Sequence, residues 1–445
     1  MSFSILYVFI AAFLARLIGI TQSFWLDEAT TTNVVKHLSF SDIISKFSVT
    51  DFHPPLYYLF MKGWTSLFGF SEVSMRMPSI LFSLAAGWFI YKTVLKLSTK
   101  TVAFWSTVFF LFNPLIVYYS QEARMYMMTV FWFTLALYFY VDIIRSKVQP
   151  TFKMVALNSI FGLALVSFYG SIFFISSMYL YLALKKKFRL LASLLPGTVV
   201  ALILLYPLLS GQMAHAKIAL EQISNWNLAL GLPNIKNLLL IPLKFTSGRI
   251  SFEPKIMYFA LSGISTLALA FFAVKGSQKN KWLAFLAVTP LLLAFIISFW
   301  LPMLQFFRYL YVIPVLAILL GMGTKHFVWE KGIVAGILFF FSALYLVFPN
   351  FHREDWKSLL QSVPQSSSVY MIPSSSDPIQ YYYPEVKTKN LLEIEKFDGN
   401  LKEVYVIPYT AEIYGLNYRT VLEKKKYTLK DQTDYRGVTL EYWVQ

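Results

Sequence analysis

Cysteine is absent from the chain. That excludes a disulfide framework, a cysteine-ligated zinc site and thiol chemistry, and it leaves the redox compartment undecided. Charge is also scarce: 14% of the 445 residues are Asp, Glu, Lys or Arg, against 57% hydrophobic, which is far more apolar than an average soluble domain. Acids are the scarcer sign, 23 against 39 Lys and Arg. The net charge of +16 does not point to nucleic acid, because the basic residues fall between apolar segments and form no face interleaved with stacking aromatics. No Gly-rich phosphate loop follows a strand, so no nucleotide-sugar site is expected. HExxH-type spacing, internal repeats and low-complexity tracts are missing as well.

What the chain does have is long apolar runs. A membrane span needs about 20 apolar residues, and runs near that length fall at 3–20, 76–97, 101–119, 125–144, 153–168, 171–184, 190–209, 256–274, 282–300, 307–324 and 332–348. The first run lacks a basic flank and a small-x-small cleavage site, so it is expected as a retained span. "SFYGS", residues 167–171, is expected to be a turn between two short spans. The fold class is therefore a multi-pass α-helical membrane protein with about eleven transmembrane helices. After Phe348 the spans stop, and "SSSVYMI" (366–372), "KEVYVIPY" (402–409) and "GVTLEYWVQ" (437–445) are expected as strands, with a helix in "REDWKSLLQSV". This gives a membrane domain over 1–349, with a long outer loop at 21–75, and a small extracytoplasmic α/β domain over 350–445.

Alternate connections carry Lys92, Lys96 and Lys100; Arg145, Lys147 and Lys153; Lys185, Lys186, Lys187 and Arg189; Lys275, Lys279 and Lys281; Lys325 and Lys331. The positive-inside rule places these in the cytoplasm, with the N-terminus, and the C-terminal domain outside. The opposite connections collect Asp27, Glu28, Asp42, Asp51, Glu72, Glu122, Glu221 and Glu253. In the first outer loop Val34, Val35, Leu38, Ile43, Ile44 and Phe47 have near-helical spacing, which predicts helices lying on the membrane surface.

Four stretches can carry chemistry. "QSFWLDEATTTN" sets Asp27 beside Glu28; neighbours on a helix point about 100° apart, so one can face a site while the other is held. The alternative is a helix N-cap followed by a first-turn acid. "DFHPPLYYLFMKGW" fixes His53 before two prolines, with Tyr57 and Lys62 on the helix that the second proline starts. "YYSQEARMYM" brings Glu122 and Arg124 into a tight outer loop, where an ion pair of Glu122 with Arg124 or Arg76 competes with a substrate role. "PMLQFFRYLYVIP" puts Arg308 at the outer end of a span, against the positive-inside trend and suited to bidentate phosphate binding. A divalent metal is left open, with Glu28 and His53 as its candidate ligands. Together these point to chemistry on a membrane-embedded phosphate, with one carboxylate as base and cations to stabilise the leaving group. A transporter or flippase of lipid-linked glycans is the rival class; it is expected to show broken or repeated helices and charges at mid-membrane.

In this order, "WLDEA", "DFHPPLYY", "GFSEVSMRMPS" and "YYSQEARMY" resemble bacterial members of the dolichyl-phosphate-mannose protein mannosyltransferase-like family, GT-C glycosyltransferases of family 39 related to aminoarabinose transferases; "REDW" is similar too. The resemblance implies an inverting transferase in the bacterial inner (plasma) membrane, taking a sugar from a polyprenyl-phosphate donor to a lipid, glycan or protein acceptor on the outer face. It makes Asp27 the first-loop catalytic acid, Glu28 its adjacent carboxylate and Glu122 the acid of the second outer loop. His53 and the prolines occupy the place of a donor-phosphate lysine, leaving Arg308, Arg124 or Lys62 to replace it, with Arg76 and Tyr57 completing the candidate substrate-binding set. The tail lacks the β-trefoil of eukaryotic protein mannosyltransferases.

Overall fold

The computed structural model describes residues 3–146, 151–226, 230–278, 280–364, 367–396 and 401–445; Lys147, Lys279 and Ser366 of the sequence reading lie outside the described residues. Among them, six helices are long and apolar enough to cross a membrane: Glu72–Leu97, Tyr126–Arg145, Phe188–Glu221, Lys255–Ser277, Phe306–Gly323 and Val328–Val347. The pair Lys100–Leu111 and Pro114–Ser120, bent by 59°, is together long and apolar enough for a seventh, as a broken span or a re-entrant loop. Asn113 makes this bend: its side chain accepts the N–H groups of Leu115 and Ile116, and Pro114 opens the next helix, a start that needs no donor from its first residue. Four shorter apolar helices, Ser4–Leu17, Thr151–Ser167, Ser171–Leu184 and Lys281–Ile297, stand at the remaining predicted spans. At 1.5 Å per residue they reach only about 20–26 Å of the ~30 Å hydrocarbon core. The protein is a multi-pass membrane protein, and eleven crossings is our proposal for its full count.

Small residues let the helices close up. A Cβ at Gly276 would sit 2.0 Å from the Leu319 carbonyl oxygen, and one at Gly323 1.9 Å from that of Phe272, so Lys255–Ser277 and Ile313–Gly323 pack backbone to backbone. Arg16 is fully buried near the end of the first helix, and donates to Ala12 O, Leu111 O and Ser83 Oγ at 2.7–3.1 Å. Such complete bonding is what makes an arginine tolerable there.

The basic connections meet at one end of the bundle: Asp142 pairs with Lys96 (2.8 Å) and Lys153 (2.5 Å), Lys187 donates to Ile144 O, and Lys275 pairs with Glu330. Glu28, Glu72 and Glu122 meet the C-terminal segment at the other end, through Arg353, Lys357 and Tyr382. There a five-stranded sheet of order β2-β1-β3-β5-β4 is built from β1 (Ser368–Met371), β2 (Lys387–Asn390), β3 (Glu403–Ile407), β4 (Thr428–Asp434) and β5 (Thr439–Val444). β1 pairs parallel with β2 and β3, and β5 antiparallel with β3 and β4. The three expected strands form its centre. Strands β2 and β4, absent from the sequence reading, are its polar, largely exposed edges.

Helix α1 (Leu26–His37) carries the acidic pair and lies between bundle and tail. Thr30 Oγ1 donates to Asp377 Oδ2 at 2.5 Å and Asn33 Nδ2 to Asp377 Oδ1 at 2.9 Å. On its other side Phe24 N donates to the Tyr382 hydroxyl (2.7 Å), which donates to Glu72 (2.8 Å). The tail therefore grips the first outer loop just before and just after Asp27.

Candidate functional site

Trp25, not Asp27, is the N-cap of α1, and it makes no side-chain capping bond. Asp27 and Glu28 both lie in the first turn, where the helix dipole favours carboxylates, and there they diverge as neighbours on a helix must. Glu28 is fully buried. Arg76 grips it with two parallel bonds, Nε to Oε1 at 2.9 Å and Nη2 to Oε2 at 2.6 Å, and Ala123 N donates to Oε1 at 2.8 Å. Burial pushes its carboxyl pKa up, but Arg76 and Arg353 outweigh that and hold it below the usual range.

Glu122 pairs with neither of the partners that the sequence suggested. Its Oε2 accepts from Arg353 Nη2 at 3.0 Å, and the same guanidinium stands 3.6 Å from Glu28 Oε2. Burial, only partly offset by Arg353, raises Glu122 to about 7. The chain Arg76–Glu28–Arg353–Glu122 thus welds Glu28 of the first loop and Glu122 of the second to the tail. Sequence reasoning missed Arg353 because its partners lie 231 and more residues away; the only signal was a charged "REDW" directly after the last span.

Asp27 looks the other way, with 37% of its side chain exposed. Its nearest cation is Arg124 Nη2 at 3.6 Å, and Arg124 also donates to the Tyr58 hydroxyl at 3.1 Å and lies 3.4 Å from His53 Nδ1. Tyr58 donates to Asp51 Oδ2 at 2.8 Å, and His53 is 3.4 Å from Asp51 Oδ1. Burial pushes Asp51 up, yet His53, Arg124 and Tyr58 together bring it down to about 2. Arg124 and His53 are therefore brought to Asp27, along with Asp51 and Tyr58, which carried no assignment in the sequence reading. Lys62 is spent on Val35 O at 2.9 Å, Arg76 on Glu28, and Tyr57 is buried in the core.

Facing this group is an aromatic floor. The rings of Tyr118 and Tyr119, of Tyr119 and Tyr126, and of Tyr126 and Phe307 lie 5.1–5.7 Å apart. Arg249 sits 5.2 Å above Tyr118 and Arg308 5.9 Å above Phe307, with cation–π geometry. Neither has a carboxylate within 4 Å among the described residues. Arg249 keeps an open face although protein surrounds the rest of it. It was overlooked in the sequence, where the reasoning applied to Arg308, an outer arginine against the positive-inside trend, fits it equally well.

The metal alternative finds no ligand set: among the described residues no three His, Asp or Glu side chains gather at ligand spacing, and both oxygens of Glu28 are taken by Arg76 and Ala123. An apolar cavity of about 120 Å³, lined by Phe109, Phe245, Leu269, Ile313, Leu316 and Leu320 among others, lies within the bundle and holds none of the charged groups.

The profile of the dolichyl-phosphate-mannose-protein mannosyltransferase family matches residues 52–210. No curated protein sequence matches the chain. Among solved structures, the apo form of ArnT from Cupriavidus metallidurans superposes over 98% of this chain and 97% of its own, with a TM-score of 0.58 at 13% identity. The apo oligosaccharyltransferase of Archaeoglobus fulgidus covers 97% of this chain with 70% of its own, TM-score 0.52, 12% identity. The AglB enzyme of that organism, in complex with an inhibitory peptide and a dolichol-phosphate, covers 92% with 70%, TM-score 0.50, 12% identity. At such identities the shared property is the fold.

Proposed function

We propose that the protein is an inverting glycosyltransferase that moves a sugar from a polyprenyl-phosphate donor to an acceptor hydroxyl, or to a phosphate oxygen, at the outer face of the membrane. The observation that carries this reading is one open carboxylate, Asp27, in a site that also holds two guanidinium groups without a carboxylate within 4 Å among the described residues, Arg249 and Arg308, on the aromatic rings of Tyr118 and Phe307. Asp27 removes the proton from the acceptor hydroxyl, the acceptor oxygen bonds to the anomeric carbon, and the bond from that carbon to the phosphate oxygen breaks. The donor is a phosphodiester with one negative charge and the leaving polyprenyl phosphate is a monoester that gains a second. Two waiting cations therefore favour the transition state over the ground state. Arg124 orients Asp27 and, with Asp51, Tyr58 and His53, fixes the loop around it. Glu28 and Glu122 act through the Arg76 and Arg353 pairs as positioning residues. The dolichol-phosphate complex of the archaeal relative and the family matched at 52–210 support a lipid-phosphate donor.

The test is transfer of label from a panel of radiolabelled polyprenyl-phosphate sugars to a membrane extract by purified wild type and by Asp27→Asn. Transfer by wild type alone supports the reading and identifies the donor. Equal transfer by both removes Asp27 as the base. No transfer by either, with a lipid-linked glycan crossing the bilayer of reconstituted vesicles instead, replaces the reading with a flippase.

A further inference from the structure

The segment that leaves the last span brings a further carboxylate to the site, and it forms no ion pair with the arginines of the welded network. Glu354 is half-buried and has no Lys, Arg or His within 4 Å among the described residues. Its backbone is what the fold holds: Glu354 O accepts from Ser23 Oγ at 2.6 Å, Trp356 N donates to the same Oγ at 3.1 Å, and Asp355 N donates to Tyr435 O at 2.9 Å. Among the described residues the side chain has one hydrogen-bonding side-chain neighbour, the hydroxyl of Tyr409, which donates to Oε1 at 3.2 Å. Tyr409 follows β3 and is braced edge-on by Trp356, ring centres 5.2 Å apart. Asp27 and Arg249 both act electrostatically on Tyr409, and Arg249 on Glu354. The pair therefore borders the site: Glu354 follows Arg353 of the welded network, and its backbone is tied to Ser23, four residues before Asp27. In a transferase whose phosphate is held by Arg249 and whose acceptor oxygen is held by Asp27, a carboxylate and a hydroxyl beside both are placed to meet the sugar ring.

We propose that Glu354 and Tyr409, supplied by the C-terminal domain, read the transferred sugar: they take hydrogen bonds from its hydroxyl groups and reject a sugar that carries a carboxylate. This rests on the proposed donor chemistry and names the specificity of the same site. A charged acceptor makes a stronger hydrogen bond with a sugar hydroxyl than a neutral one does. It is equally effective as an exclusion device, since two acids in one enclosed place repel each other. Folding gives no reason for the charge, because the Ser23 and Tyr435 bonds are made to backbone atoms.

The experiment compares kcat/KM for two matched donors, polyprenyl-phosphate glucose and polyprenyl-phosphate glucuronic acid, in the full-length protein. Wild type is expected to prefer the neutral donor by at least about 100-fold. Glu354→Gln is expected to lower that ratio tenfold or more, chiefly by admitting the acidic donor, and Tyr409→Phe to lower it by a smaller factor; Glu354→Asp keeps the preference. The ratio is internal to each variant, so partial unfolding leaves it unchanged. A wild type that transfers glucose but shows the same ratio in Glu354→Gln overturns the inference and leaves the transferase reading standing. A wild type that transfers neither sugar, nor any other of the panel, overturns both.

Discussion

The guanidinium of Arg353 lies 3.0 Å from a carboxylate oxygen of Glu122 and 3.6 Å from one of Glu28. One side chain just past the last span thus closes a line of charge that begins at Arg76 in the first of the long helices. Every member is buried, so removing one strands the others without water.

Arg353→Met is therefore expected to cost about 3–5 kcal/mol, the usual penalty for breaking a buried pair from one side. The reading is the midpoint of thermal unfolding in detergent. A midpoint equal to that of wild type would falsify the view that this arginine holds the tail to the bundle.

Glu122 imposes a pH dependence. Its folded pKa, about 7, lies above the ordinary 4.5, so the folded protein binds the proton more tightly than the unfolded chain. The stability from this group is complete below pH 4.5, declines as the pH rises toward 7 and is gone above it, by at most about 1.4 kcal/mol per pH unit. Between pH 5 and 7.5 the unfolding midpoint of wild type should fall more steeply than that of Glu122→Gln; parallel curves would refute the assignment.

The adjacent acids should separate cleanly. Asp27→Asn is expected to reduce transfer by about 10²–10⁴-fold, the range for loss of a general base, with an unchanged unfolding midpoint. Glu28→Gln should lower the midpoint first, because it leaves Arg76 buried with half its partner. The opposite pattern would exchange the two roles.

Arg249→Gln and Arg308→Gln are each expected to reduce kcat by about 10²-fold and to raise KM for the lipid donor, as loss of a cation facing a developing charge should. Lys62→Met, which touches only the Val35 carbonyl, serves as the comparison and should leave KM for the donor close to wild type. Kinetics with varied donor at saturating acceptor distinguish the cases.

Asp377→Ala removes the bonds from Thr30 and Asn33 that steady α1. A loss of about 1–3 kcal/mol is expected for the hydrogen bonds, together with a fall in kcat at nearly constant donor KM, since the helix that carries Asp27 loosens while the arginines stay in place. A change in KM alone would place Asp377 in donor binding.

The sequence made legible whatever is local. Apolar runs marked the spans because each must bury its own backbone in lipid, and the apolar centres of β1, β3 and β5 showed because the sheet is covered on both sides. The polar edge strands "KTKN" and "TLKDQTD" gave no such pattern, as edges face water. The 59° bend was written in Asn113-Pro114 but sat within one apolar run. At the site, the divergence of Asp27 and Glu28 followed from helix geometry alone. The partners of Glu28 and Glu122 did not, because ion pairs across 48 and 231 residues leave no spacing to read. His53, placed by its prolines, was legible in position, while its neighbours Asp51 and Tyr58 are ordinary residues until Arg124 arrives beside them.

The Arg353 bridge also limits how the tail can move. A tail that swung away like a hinged lid would uncover two carboxylates and draw Arg353 out of the bundle, at a cost comparable with a large part of the stability of a typical domain. The tail is a fixed roof. For the proposed transferase this means that lipid donor and product travel sideways, beneath the roof and between the helices of the bundle.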